Sequence, residues 1–357
     1  MADTANIVRT LWHGSSLSVY ERLSLLSFVK HGHAVEVYSY DPLEVPSGVE
    51  WRDARAILPA SGAFSYAEGP AKGSFAAFSN LFRIKMLAEL GGIWADADLL
   101  CLRPLHDLPA ACVGRHQEDY TNGAFLRFPA GDPTCVEIYE RARDLGSAIK
   151  LGQMSGLVTE AAFREGSTCE VLPVPAIYPI PWSDTWMLVD PDQRERCEEL
   201  TKTTYCVHWW NTAITLVMGM PKEGLPPVGS YLFAHAKEIL PASELTAWPI
   251  EVARPWIESF RRYRPEVEAA REQQIAELTK TVGELRASLA AGEASTSEAA
   301  ELRRELQRTI DEVQTLRGRL DEREATIAHL MASRSWKLTA PLRAVDRLLN
   351  GSQRGPS

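Results

Sequence analysis

Two aspartates one residue apart, Asp96 and Asp98, stand at the end of a short apolar run, Ile93-Trp94-Ala95. In extended chain, residues i and i+2 point to one side, so both carboxylates would aim the same way. Paired hard oxygen donors suit a divalent cation such as Mg²⁺ or Mn²⁺, an ion that in turn bridges phosphates. An Asp-x-Asp alone is a weak signal, because many such pairs are solvated turn residues. The flanking sequence adds to it. Phe75, Phe78, Phe82, Met86 and Leu90 recur at spacings of three and four, the apolar face of a helix. Gly91 and Gly92 supply the left-handed conformation that stops a helix. Arg83 lies on this helix and is expected to reach the same rim as the two acids.

The elements before this block read as strand, helix, strand. Ile7-Val8-Arg9-Thr10-Leu11-Trp12 is β-prone and ends at His13-Gly14-Ser15-Ser16. Ser18 can cap a helix holding Val19, Leu23, Leu26 and Val29, with Glu21 as its capping-box partner. Ala34 to Tyr40 forms a second strand, closed by Asp41-Pro42. Such a unit implies a parallel pair with a right-handed crossover. In open α/β sheets, ligands bind beyond the carboxyl ends of the strands. That rule places His13 to Ser16, Tyr40-Asp41 and Asp96/Asp98 along one rim.

Residues 111–128 predict a hairpin, Ala111–His116 and Ala124–Phe128, around a polar turn whose Asn122-Gly123 is a strong turn signal. The turn alone would explain Asn122. Helices are expected over 133–148 and from about Ser155. Residues 170–190, rich in Pro and Trp, read as an irregular loop. Tyr205-Cys206-Val207-His208-Trp209-Trp210 reads as a final strand ending in a histidine and two indoles. His208 there is either a satisfied interior residue or a ligand for metal or phosphate. Glu118, Asp119 and Asp184 are loop acids, more simply read as solvated charge than as catalytic groups.

Composition narrows the function classes. The chain has 357 residues, 45% hydrophobic, with ten tryptophans and a net charge of −9. It is long enough for a real core, and its acidic balance argues against nucleic-acid binding as the main role. Met1 to Asn6 lacks the basic flank and apolar core of a signal peptide. No run approaches the ~18–20 apolar residues of a membrane span. The six cysteines, Cys101, Cys112, Cys135, Cys169, Cys197 and Cys206, form no Cys-x-x-Cys pair. They are expected to be buried and reduced, in a cytoplasmic protein.

From Glu266 to Met331 the chain is mostly Glu, Arg, Ala, Leu and Gln, without proline. Ile275, Leu278, Val282, Leu285 and Leu289, then Leu302, Leu306, Val313, Leu316, Leu320, Ile327 and Leu330, follow heptad patterning with a break near Ala291-Gly292. A coiled coil that joins copies or a partner protein is expected; a single charged helix is the alternative. The last segment, from Ala332, carries five basic residues and one acidic. Leu338, Leu342, Val345 and Leu349 share one helical face, so this tail can rest peripherally on anionic lipid at the inner membrane face or pack on a partner. The expected division is a head over 1–245, a linker over 246–265, the coiled coil over 266–331 and the basic amphipathic tail over 332–357.

The run Phe78-Ser79-Asn80-Leu81-Phe82-Arg83, continuing through Leu90-Gly91-Gly92-Ile93-Trp94-Ala95-Asp96-Ala97-Asp98 to Arg103-Pro104-Leu105, resembles the DXD-containing sugar-binding region of bacterial and fungal glycosyltransferases. Leu11-Trp12-His13-Gly14 and the segment from Leu17 to Ser24 are similar to the start of that group. Gly152 to Glu160 resembles its Gly-Pro-x-x-x-Thr segment, with Gln153 where proline is usual. Val207-His208-Trp209 resembles its late His-Trp element, and the tail from Ser333 to Arg343 resembles an end segment of bacterial surface-glycan enzymes. The resemblance covers about residues 6–215. It implies an α/β GT-A fold, a nucleotide-sugar donor (a UDP-sugar favoured), a glycan acceptor, Mn²⁺ or Mg²⁺, and retention at the anomeric carbon. By position it implies that Asp98 binds the metal and Asp96 contacts ribose, sugar or metal. Arg83 would contact the donor sugar or phosphate, and His208 the diphosphate or metal. Leu11, Trp12, His13, Tyr40, Ser79, Asn80, Asn122 and Gly152 would surround the donor. Where Asn80 stands the family usually has Asp; an amide still hydrogen-bonds sugar hydroxyls but carries no charge.

Two other readings compete with a retaining, metal-dependent glycosyltransferase of bacterial surface-polysaccharide assembly. A metal-dependent phosphohydrolase also uses paired aspartates, but it needs further carboxylate or histidine ligands close in sequence, which are absent here. A catalytically degenerate transferase head, acting as an assembly factor through its coiled coil, is kept open by Asn80.

Overall fold

The computed structural model describes residues 6–62, 64–65, 76–149, 152–262, 277–284, 304 and 306–310. Strand β1 (Val8–Leu11) leads through α1 (Val19–Lys30) to β2 (Val35–Ser39) and β3 (Val49–Asp53). Then come α2 (Ala76–Leu90), β4 (Gly92–Ala95), β5 (Leu99–Cys101), β6 (Cys112–Gln117) and β7 (Tyr120–Phe128). They are followed by α3 (Pro133–Leu145), α4 (Gln153–Phe163), β8 (Glu170–Leu172), and two short helices, α5 (Val174–Ile177) and α6 (Trp186–Val189). Helix α7 (Arg194–Leu200), β9 (Cys206–His208), a π-helical turn (Ala213–Val217), α8 (Tyr231–Ile239) and α9 (Ile250–Arg262) complete the head. The fold is mixed α/β, as expected.

Seven strands form one sheet in the order β3-β2-β1-β4-β7-β6-β8, while β5 and β9 pair separately. Strands β3, β2, β1 and β4 run parallel; β7 is antiparallel to both β4 and β6. The ends of β2, β1 and β4 therefore open on one edge in adjacent positions. Helix α1 begins at Ser18 with the expected capping box: Ser18 caps the first turn and Glu21 accepts the Ser18 backbone N–H. Such a box satisfies two orphan donors at once.

Both sheet faces are covered. Phe82, Ile84, Met86 and Leu87 of α2 pack with Trp94, Leu126 and the apolar sides of α3 and α4. On the other side, Leu25 and Phe28 of α1 pack with Val37, Ile93 and Phe125. A third cluster joins Tyr20 and Leu23 to Trp209, Ile214 and helices α6 to α9. All six cysteines are free and buried.

The structure revises several local expectations. The tight turn of the β6–β7 hairpin falls at Glu118-Asp119; Asn122 and Gly123 lie inside β7, where the register shifts against β6. Their turn-forming bias goes into that irregularity, with the Asn122 side chain accepting the Ala124 N–H at 2.8 Å. Leu90 is exposed, three residues past Leu87, the last buried residue of α2. Residues 170–190 are ordered into β8, α5 and α6, since Ile177, Tyr178, Leu188 and Val189 are buried. The segment 246–265, expected as a linker, contains α9, whose Ala253, Ile257 and Phe260 enter the third cluster. The expected coiled coil falls largely outside the described residues, which in that span are 277–284, 304 and 306–310, all helical; the tail over 332–357 lies wholly outside them. Among the described residues no helix is long and apolar enough to cross a membrane.

Candidate active site

Helix α2 ends where the sequence says it must. Gly91 and Gly92 adopt φ of 65° and 94°, and a Cβ on Gly91 would meet the Ala130 nitrogen at 2.4 Å. Only glycine fits a left-handed position crowded by backbone. Strand β4 then runs to Ala95, and the Asp96 N–H continues its pairing with the Ala124 carbonyl. The next residues do not stay extended. The Leu99 N–H donates to the Asp96 carbonyl (3.1 Å), so Asp96-Ala97-Asp98-Leu99 is a turn. Strand alternation is thus not what gathers the two carboxylates; the turn does it.

The acids have different partners. Asp96 Oδ1 accepts the Trp94 Nε1–H at 2.6 Å and lies 3.3 Å from an Arg83 guanidinium nitrogen. Arg83 also donates to the Gly123 carbonyl and lies over the Trp94 ring, 4.8 Å from its centroid. Asp98 Oδ1 lies 3.0 Å from His208 Nε2, and its Oδ2 accepts the Asn211 N–H at 2.9 Å. The Asp98 carbonyl accepts the Trp209 N–H, and Leu99 pairs with His208 across β5–β9. That small sheet fixes His208 beside Asp98. It supplies the contact that links a late histidine to an acid more than a hundred residues earlier.

Burial raises the Asp96 pKa; Arg83 opposes this and the neighbouring Asp98 charge adds to it. Burial also pushes Asp98 up, but His208, the Asn211 N–H and Lys222 outweigh it and hold its carboxyl below the ordinary value. One ionised carboxylate beside one that resists ionisation is a pair whose repulsion a cation would relieve.

Aromatic rings close one side. Trp210 lies on His208, with centroids 3.9 Å apart, and contacts His116 and Tyr178 at 5.1 and 6.1 Å. The Tyr178 hydroxyl donates to the Asn122 carbonyl and accepts the Phe125 N–H, both at 3.1 Å. Burial, then the Asp96 charge, raises its pKa far above the usual phenol value. Trp210 has φ of 52°, a left-handed conformation no other non-glycine described residue adopts. Strain of this kind costs of order 1–3 kcal/mol and concentrates at functional sites. The π-helical turn begins three residues later.

Asp96, Asp98, Arg83 and His208 thus converge. Asn122 lies beside them through Tyr178, with its own side chain engaged to backbone. Ser79 and Asn80 are part-buried on α2, one helical turn before Arg83. Leu11 ends β1, with Trp12 and His13 just beyond it; Tyr40 follows β2 and donates to the Leu58 carbonyl at 2.9 Å while stacking on Phe78. Gly152 caps α4 at φ 77°, its carbonyl accepting from the Tyr120 hydroxyl. It supports the β7 side of the site from the start of a helix. Trp94, Tyr178, Asn211, Trp210 and Lys222 were not legible as site residues. Two of them carried a signal: Trp94, two residues before Asp96 on the same strand, and Trp210, close after His208 at a strand end.

The site retains unmet hydrogen-bonding capacity. Arg83 Nε and His208 Nδ1 are buried with no hydrogen-bond partner among the described residues. Buried polar atoms left unpaired are costly, and at a site they are natural points for a ligand. Among the described residues no three His, Cys, Asp or Glu side chains form a preset metal cluster. The donor chemistry of Asp96, Asp98 and His208 nevertheless fits a hard divalent cation.

Residues 53–113, which span α2, β4 and the Asp pair, match the family model described as a glycosyltransferase sugar-binding region containing DXD motif. The lactosylceramide 4-alpha-galactosyltransferases of Pan troglodytes and Homo sapiens are each 28% identical over 145 residues, covering 37% of this chain and 41% of theirs. The chain thus spans about two fifths of the length of these relatives. Among solved structures, PaToxG glycosyltransferase is similar at a TM-score of 0.36 and 16% identity, over 72% of this chain and 87% of its own. The glycosyltransferase GlyE of Streptococcus pneumoniae TIGR4 gives 0.35 and 13%, over 58% and 57%. The chain carries a glycosyltransferase sugar-binding region, and the enzyme class to which this points is a transferase.

Proposed function

We propose that this protein is a GT-A-type glycosyltransferase that moves a sugar, with retention, from a nucleotide-sugar donor to a glycan acceptor. The observation that carries this is the Asp96–Asp98 turn on the carboxyl rim, with each acid held by its own cation-capable partner. Asp98, Asp96 and His208 would hold Mn²⁺ or Mg²⁺, which when bound neutralises the diphosphate leaving group. Arg83 donates toward the same place. Its guanidinium is fixed by Trp94 and Gly123, so it needs no reorganisation to face developing charge. The buried Arg83 Nε supplies a further donor, and His208 Nδ1 a further donor or acceptor. Tyr178 and Trp210 keep water from one flank. The sugar passes through an oxocarbenium-like state.

A UDP-sugar is the favoured donor. The relatives' names specify galactosyl transfer to lactosylceramide; we extend from them only the general class, a sugar moved to a glycan. The same reading assigns the protein to surface-polysaccharide assembly on the cytoplasmic side of a bacterial membrane. The heptad segment would join copies or a partner, and the basic tail would contact anionic lipid. Thermal-shift measurements against UDP-, GDP- and dTDP-sugars with Mn²⁺ test the donor class. A metal-dependent rise in Tm with one nucleotide family supports the reading. Binding without any donor hydrolysis would favour the degenerate head that Asn80 suggests, and no shift with any donor would reject nucleotide-sugar binding.

A further inference from the structure

The β6–β7 ladder has a gap beside the aspartate turn, and a side chain from outside the sheet fills it. Val113 pairs with Leu126, but the next residue of β6, Gly114, pairs with Asn122. Gly123, Ala124 and Phe125 of β7 therefore have no partner in β6, and the strand bulges there. Tyr178, the residue after α5, closes the gap. Its hydroxyl donates to the Asn122 carbonyl and accepts the Phe125 N–H, each at 3.1 Å, as a neighbouring strand would. Its ring lies against Gly114, where a Cβ would meet Tyr178 Cε2 at 2.6 Å and Ile177 Cβ at 3.1 Å. A glycine at 114 is what admits the ring.

The two ends of Tyr178 serve different halves of the site. The hydroxyl brackets the bulge, and the bulge offers the Gly123 carbonyl to Arg83. Asp96 keeps its own backbone tie to β7, its N–H donating to the Ala124 carbonyl at 2.9 Å. Loss of the hydroxyl therefore falls on Arg83. The ring meets His208 edge-on, with centroids 5.9 Å apart and planes at 62°. The Tyr205 N–H donates to the Ala176 carbonyl at 2.8 Å, which ties α5 to the start of β9 and holds ring and imidazole together. Tyr178 is 1% exposed, so water does not substitute for either contact.

We infer that Tyr178 is a positioning residue that aligns both basic groups of the aspartate turn by separate means: its hydroxyl fixes Arg83 through the β7 bulge, and its ring fixes His208 by packing. The inference rests on reading the site as a metal-assisted transferase site. Without the hydroxyl, the Asn122 carbonyl and the Phe125 N–H are left buried and unpaired, so the bulge must shift. Without the ring, the His208 imidazole loses a support that orients it, and outer contacts of that kind govern how well a histidine holds a metal.

The test uses the full chain with Tyr178→Phe, Tyr178→Leu and Gly114→Ala. Mn²⁺ binding is read by electron paramagnetic resonance without donor. Mn²⁺-dependent hydrolysis of the UDP-, GDP- or dTDP-sugar that wild type cleaves gives kcat and KM, and melting curves give Tm. Tyr178→Phe is expected to lower kcat by about fivefold or more, with Mn²⁺ affinity within about threefold of wild type. Tyr178→Leu removes the ring and Gly114→Ala displaces it while leaving every site side chain in place. Both are expected to weaken Mn²⁺ by about tenfold or more. A tyrosine that only fills the core would lower Tm in all three variants with kcat and Mn²⁺ affinity at wild-type values, and that result would overturn the inference. Equal loss of Mn²⁺ affinity in Tyr178→Phe and Tyr178→Leu would overturn it as well, since the hydroxyl and the ring would then have no separate roles. Wild type that neither binds Mn²⁺ nor hydrolyses any of these donors would instead reject the transferase reading, and the inference with it.

Discussion

Arg83 makes three contacts at once: an ion pair to Asp96, a hydrogen bond to Gly123 and a stack on Trp94. A lysine can supply one of these, since an ammonium lacks both fork and plane. Arg83→Lys is therefore expected to lower kcat/KM by about tenfold or more, or ~1.4 kcal/mol, with the sheet intact. Parallel steady-state kinetics and melting curves check this. A lower Tm with unchanged kinetics would make Arg83 purely structural. At this scale the sequence was informative where chemistry is local. Asp96, Asp98 and Arg83 share one helix-stop-strand block. The late His208 was suggested by resemblance and by its strand end. The residues that went unseen, Tyr178, Asn211 and Lys222, reach the site through turns and long crossings that no residue spacing encodes.

The helix-to-strand corner is the element on which the site depends. The Gly91 carbonyl also accepts from the buried Arg9 at 2.7 Å, which ties β1 to the corner. Gly91→Ala combines a left-handed φ with a backbone clash, and is expected to cost ~2 kcal/mol or more in chemical denaturation. A loss below ~0.5 kcal/mol would mean the corner relaxes freely. The capping box at Ser18, the α2 stop and the parallel β1–β2 pair were legible because each is short-range. The hairpin turn was misplaced because Asn122-Gly123 is absorbed by a register shift that depends on β6. Helix α8 gives a pH prediction. Burial lowers the His235 pKa from 6.5 to about 4, whereas the unfolded chain titrates near 6.5. Stability from this group is complete above pH ~6.5 and declines toward pH 4, by at most ~1.4 kcal/mol per pH unit. Burial also lowers the pKa of His33, so it acts in the same direction. His235→Gln should flatten the stability–pH slope over that range; an unchanged slope would contradict it.

At the scale of the whole molecule, the third apolar cluster extends through Ala253, Ile257 and Phe260 of α9, so the packed head does not stop before Ile250. A chain ending at Arg262 is expected to keep donor binding and to become smaller in light scattering, because the heptad seam lies beyond every site segment. One ending at Leu245 should expose the apolar surface of α6 and Trp182 that α9 covers, and aggregate. Loss of donor binding on removing only residues after 262 would mean that the heptad segment folds back onto the head. The composition shift near Pro265 was visible in the sequence; the packing of α9 was not, because its apolar positions have meaning only against Trp182 and the other helices. The most direct measurement is Mn²⁺-dependent hydrolysis of a nucleotide-sugar donor by the full chain and by Asp98→Ala. Losing this charged group should cost ~3 kcal/mol or more of transition-state stabilisation. We predict at least a ~10²-fold loss of turnover in a variant that retains its circular-dichroism spectrum; near-normal Mn²⁺-dependent turnover in Asp98→Ala would contradict the role assigned to the aspartate turn.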